Sequence, residues 1–115
     1  MKIICYKRCS TCKKAIKFLE KSNNNFEQID YTENPLSFTE IKNLWKKSGL
    51  PIKKFFNTSG NLYKEFDMKN RLEKMSEDEK LEILSKNPML IKRPILVFKN
   101  EVLVGFNEEE WRKVL

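Results

Sequence analysis

The chain has 115 residues, room for one hydrophobic core, so a single domain spanning 1–115 is expected. With 34% charged and 40% hydrophobic residues, 3 Gly and 4 Pro, the composition excludes disordered and collagen-like chains. No apolar run approaches a membrane span, and the short run after Lys2 cannot serve as a signal peptide, so a cytoplasmic protein with no membrane partner is expected.

The net charge of +7 invites a nucleic-acid partner. The lysines, however, alternate with acids, as in Glu73-Lys74 and Glu77-Asp78-Glu79-Lys80, and no arginine block occurs, which points to solvated helix faces and no direct nucleic-acid binding. Three cysteines and no histidine make neither a disulfide framework nor the four Cys or His ligands of a structural zinc site, so no metal is expected.

Residues 2–6 (KIICY) are β-branched and aromatic enough for a first strand, with Cys5 as a small buried hydrophobe. Ala15, Ile16, Phe18 and Leu19 then recur at helical spacing as far as about Lys21, and the SNNN run ends that helix. Residues 26–31 (FEQIDY) form an imperfect second strand, parallel to the first across the helix. Ser37 and Glu40 make a capping box for a helix that Gly49 stops. Pro51 can start a short helix, TSGN turns, and residues 62–75 carry weaker periodicity. Ser76 and Glu79 cap another helix, closed by Asn87-Pro88. Residues 94–98 and 102–105 read as an antiparallel hairpin, and Asn107 with Glu110 as a capping box for a last short helix. The order β-α-β, helical insert at about 36–87, β-β-α is that of an α/β thioredoxin-like fold with a small mixed four-stranded sheet.

The chemistry is concentrated in KRCSTCKKAI, residues 7–16. A thiol with an ordinary pKa near 8.5 is only about 3% thiolate at neutral pH, so a reactive cysteine needs surroundings that favour the anion. Cys9 is placed at the start of the first helix, where unpaired N–H groups and the helix dipole do this and Lys7, Arg8, Lys13 and Lys14 add positive charge. Cys12, one turn further on, can reach back to a mixed disulfide on Cys9, so Cys9 is the candidate nucleophile and Cys12 the resolving thiol. The N–H groups of the same loop can cradle an oxyanion, with Ser10 and Thr11 capping or donating. An inert cysteine pair is the alternative.

Arg93-Pro94 is the second feature. Pro94 is expected as the first residue of a strand, in a turn facing the cysteine loop. Arg93 can then steady a thiolate or bind an oxyanion through two N–H groups, and Pro94 can shape the substrate groove. A solvent-facing Arg before an ordinary trans proline is the bland alternative.

CSTCKKA after the first strand, ENPLSFTEIKNL, KNPMLIKRPILV and VLVGFNEEEW together resemble the arsenate reductase (ArsC) family, in its C-x-x-C branch with Spx/MgsR-type regulators and arsenate-reductase-like proteins. The resemblance spans nearly the whole chain. It implies a thioredoxin-like fold with a helical insert, nucleophilic Cys9, Arg93 beside the thiol and a cis proline at Pro94. It implies no bound cofactor, with reducing equivalents from thioredoxin, glutaredoxin or glutathione. The glutaredoxin-dependent reductases of the family use three arginines around the nucleophile. Here only Arg93 is retained, with Asn57 and Gly105 at the other two places, and each lost guanidinium removes charge-assisted hydrogen bonds of about 1.5–3 kcal/mol, which weighs against efficient arsenate reduction. Cys12 instead favours disulfide exchange or a Cys9–Cys12 switch. The Spx-type regulators use such a switch and bind the C-terminal domain of the RNA polymerase α subunit, which is the alternative partner. Gly49 lies near a glycine that the regulators use there, but its role as a helix C-cap already accounts for it.

Overall fold

A computed structural model describes residues 1–22 and 24–115, and of the expected SNNN turn Asn23 lies outside the described residues. The chain forms two compact units, residues 1–34 with 93–115, and residues 35–92. The insert expected at about 36–87 falls inside the second.

In the first unit, β1 (Lys2–Cys5), α1 (Ser10–Lys21) and β2 (Glu27–Asp30) come from the N-terminal half, and β3 (Ile95–Phe98), β4 (Glu101–Val104) and α6 (Glu108–Val114) from the C-terminal half. The four strands form one mixed sheet in the order β2-β1-β3-β4. β1 pairs parallel to β2, with Cys5 opposite Asp30, and antiparallel to β3, with Ile4 opposite Ile95. This is the expected thioredoxin-like order.

Side chains two apart on a strand share a face, so Ile3 and Cys5 of β1 point the same way. With Leu96 they meet Cys12, Ala15 and Leu19 of α1 and Trp111 of α6 in one buried cluster. The spacing of the α1 residues, three then four apart, is the stripe an amphipathic helix presents to a core. Trp111 is fully buried and packs edge-on against Phe106 at 4.9 Å between ring centroids, an arrangement that contributes about 0.5–1.5 kcal/mol beyond burial.

Several boundaries shift. The second strand covers 27–30 rather than 26–31, because β2 is an edge strand whose Glu27 and Gln28 are exposed, so alternation is weak there. The fourth strand spans 101–104 rather than 102–105, since Gly105 adopts φ 79, outside extended geometry. Strand β3 begins at Ile95, not at Pro94, which has no N–H to give to a ladder. Asn107 accepts a hydrogen bond from the Glu110 N–H at 3.0 Å, but among the described residues the return bond of a full capping box is absent. The backbone explains this: Asn107 sits at φ −131, ψ 114, whereas the boxed Ser37 and Ser76 sit at ψ 165.

The second unit is helical. α2 (Phe38–Ser48) and α5 (Glu77–Lys86) carry the two full capping boxes. Gly49 ends α2 at φ 67, and a Cβ there would meet nothing within 4 Å, so only the left-handed backbone calls for glycine. A 3-10 turn follows Pro51 at Ile52–Phe55. The weakly periodic stretch is broken into α3 (Asn61–Glu65), α4 (Met68–Arg71) and a 3-10 turn at Leu72–Lys74, the break falling at Asp67 with φ 50.

Candidate functional site

The loop after β1 delivers Cys9 to the position just before α1. Cys9 is the N-cap, with extended backbone, and its Sγ accepts the Cys12 backbone N–H at 3.4 Å. A sulfur so placed receives an N–H that the helix leaves unpaired at its start, together with the positive end of the dipole, and no acidic residue lies in that first turn. Cys9 is partly exposed, while Cys12 is only 1% exposed. All three cysteines are free thiols. Ser10 and Thr11 lie exposed on the first turn of α1. Lys7, Arg8, Lys13 and Lys14 are exposed, and Lys7 is engaged with Glu33 at 3.2 Å, so its charge is partly neutralised.

Cys12 lies against Cys5. The hydrogen bond between the two thiols, and then burial, push the Cys12 thiol well above the ordinary range, while the same bond lowers Cys5. Cys12 therefore holds its proton where an exposed thiol would lose it. Cys5, expected only as a small buried hydrophobe, is buried at 4% exposure and is also a partner of the second site thiol. No residue spacing signals that contact, since it joins a strand face to a helix face.

Arg93 arrives from the other half of the unit. Its Nη1 donates to the Tyr31 hydroxyl at 2.9 Å, and its guanidinium lies over the Tyr6 ring at 5.4 Å. Tyr6 and Tyr31 meet edge-on at 6.4 Å between centroids. Burial opposes the Arg93 charge, yet hydrogen bonds to Cys9 and to the Tyr31 hydroxyl keep the guanidinium above its usual range. Burial pushes the Tyr31 phenol up to about 12, so it stays neutral beside the arginine. The structure thus brings Cys9, Cys12 and Arg93 together and adds Tyr6 and Tyr31, which the sequence reading passed over. The one available signal was an aromatic residue just past each of the two parallel strands.

Pro94 is buried, follows Arg93 through a cis peptide bond as the resemblance implied, and its carbonyl accepts the Gly105 N–H at 2.8 Å. Gly105 stands where an arginine was sought. Its φ of 79 suits glycine, and its carbonyl accepts the Trp111 indole N–H at 3.2 Å. Asn57 belongs to the second unit, where its N–H donates to the Leu90 carbonyl at 2.7 Å. Among the described residues no cluster of His, Cys, Asp or Glu could hold a metal ion, and no helix is long and apolar enough to cross a membrane.

The chain is similar to several known proteins. It is 47% identical over 108 residues to the uncharacterised protein YusI of Bacillus subtilis, spanning 94% of this chain and 92% of that one. A solved ArsC-family-related protein from Bacteroides fragilis superposes with a TM-score of 0.94 at 41% identity, over 99% of this chain and 96% of the other. The global transcriptional regulator Spx 1 of Oceanobacillus iheyensis is 28% identical over 107 residues, 93% of this chain and 80% of that protein. The sequence profile of the ArsC family matches residues 5–114, and with a thiol pair at the start of α1 in a thioredoxin-like fold, the chain belongs to the ArsC family.

Proposed function

We propose that this protein is a thiol–disulfide oxidoreductase acting in a reducing cytoplasm. The observation that carries this reading is the Cys12 N–H held on the Cys9 sulfur at the start of α1. The Cys9 thiolate attacks a substrate disulfide, forming a mixed disulfide and expelling one substrate thiolate. Cys12 loses its proton and attacks the Cys9 sulfur. That releases the second substrate thiolate and leaves a Cys9–Cys12 disulfide, which a dithiol protein such as thioredoxin or glutaredoxin, or two molecules of glutathione, reduces. No bound cofactor is needed. Arg93 steadies negative charge at Cys9 or on an oxyanion, the first-turn N–H groups with Ser10 and Thr11 line the approach, and Pro94 shapes it. With Asn57 and Gly105 in place of arginines, disulfides are better substrates than arsenate.

NADPH-coupled turnover with thioredoxin or glutaredoxin regeneration, offering arsenate and a low-molecular-weight disulfide in parallel, tests this. Turnover that vanishes in Cys9→Ser supports the assignment, and full activity in Cys9→Ser ends it.

The similarity to Spx 1 favours a second reading, a redox-sensing regulator without turnover that binds the C-terminal domain of the RNA polymerase α subunit. A pulldown with that domain, using oxidised and reduced protein, tests it. Absence of binding in both states removes this reading.

A further inference from the structure

Cys5 is a buried thiol that the scheme above leaves unused. Cys12 shares one buried cluster with Cys5 and hydrogen-bonds its thiol, and the Cys12 backbone N–H donates to the Cys9 sulfur at 3.4 Å, so Cys12 is the cysteine that links the other two. Thiol–disulfide exchange needs that order: the attacked sulfur lies between the incoming thiolate and the leaving one.

We infer that Cys5 is the third member of a thiol relay, in which the disulfide between Cys9 and Cys12 moves inward to Cys5 and Cys12 and Cys9 is released. The Cys5 sulfur forms a bond to the Cys12 sulfur, and the Cys9–Cys12 bond breaks with its electron pair staying on Cys9. Cys5 is oxidised and Cys9 reduced by the same two electrons, so no outside oxidant enters. The Cys5 proton leaves to solvent through a cleft of about 370 Å³ lined by Cys5, Cys12, Lys13, Gln28 and Asp30. Three features favour the step. Cys5 and Cys12 are held together in one buried cluster. The departing Cys9 sulfur receives the Cys12 N–H. Arg93 stands beside it with a full positive charge. The outcome is an oxidised protein whose disulfide lies in the core while its surface cysteine is free again, a state distinct from the Cys9–Cys12 disulfide.

The relay rests on the oxidoreductase reading and can fail separately from it. Trypsin places Cys5 in residues 3–7 (IICYK) and both other cysteines in residues 9–13 (CSTCK). The folded protein is oxidised with diamide, quenched in acid, alkylated in denaturant and digested. The relay predicts that the two peptides appear joined, carrying one alkyl group, and that Cys12→Ser loses the joined species. If residues 9–13 carry an internal disulfide while residues 3–7 are always fully alkylated, the relay is overturned and the Cys9–Cys12 chemistry stands. A joined species that survives in Cys12→Ser also overturns it, and absence of any disulfide overturns both.

Discussion

The Arg93 guanidinium donates to the Tyr31 hydroxyl at 2.9 Å although the two residues are 62 positions apart, and this bond holds the arginine beside Cys9. Arg93 also stacks on Tyr6, so a hydrogen bond and a ring face together restrict the guanidinium.

Tyr31→Phe keeps the ring and removes that bond. A hydrogen bond to a charged group is worth about 1.5–3 kcal/mol and about 1.4 kcal/mol is tenfold in rate, so kcat/KM for disulfide reduction should fall at least about tenfold. Arg93→Lys, which loses the planar fork, should fall comparably. Unchanged kinetics in Tyr31→Phe would show that Arg93 is placed without it.

Alkylation should separate the two site thiols. Cys12 is buried and holds its proton above the ordinary thiol range, so its thiolate fraction at pH 7–8 lies below that of a free thiol and grows only as pH rises further. Iodoacetamide on native reduced protein should label Cys9 first, with Cys12 labelled only at high pH or after unfolding, and Cys5, shielded by burial at 4% exposure, only after unfolding. Peptide mapping over time reads this directly, and equal labelling of Cys9 and Cys12 at pH 7 would contradict the arrangement.

The two full capping boxes should carry measurable stability. Ser76→Ala removes the acceptor for the Glu79 N–H, 3.1 Å away, and Ser37→Ala the acceptor for the Glu40 N–H at the same distance. Each should cost about 1 kcal/mol in denaturant unfolding. Asn107→Ala, with half a box, should cost less than either.

Gly105→Arg should not restore an arsenate site. At φ 79 a side chain is strained by about 1–2 kcal/mol, and the same residue anchors Pro94 and Trp111 through its N–H and carbonyl. The expected result is a lower unfolding midpoint with no gain in arsenate turnover, and a stable variant with new Cys9-dependent arsenate reduction would overturn this account.

Local chemistry made much of the molecule legible from residues alone. The Ser37–Glu40 and Ser76–Glu79 boxes, the Gly49 stop and the apolar stripe of α1 each rest on residues within a turn or two of one another, so spacing determines them and places Cys9 at a helix start. Edge strands and the broken stretch from 61 to 74 were less legible, because exposure on β2 weakens alternation and Asp67 interrupts the helix through its backbone. Tertiary structure alone decided what surrounds the thiols. Tyr6, Tyr31 and Arg93 come from three segments, and Cys5 meets Cys12 only because β1 and α1 pack through the same buried cluster. Contacts made across a sheet and a helix face leave no periodic trace along the chain, and these contacts set which thiol is exposed, which keeps its proton and where the arginine rests.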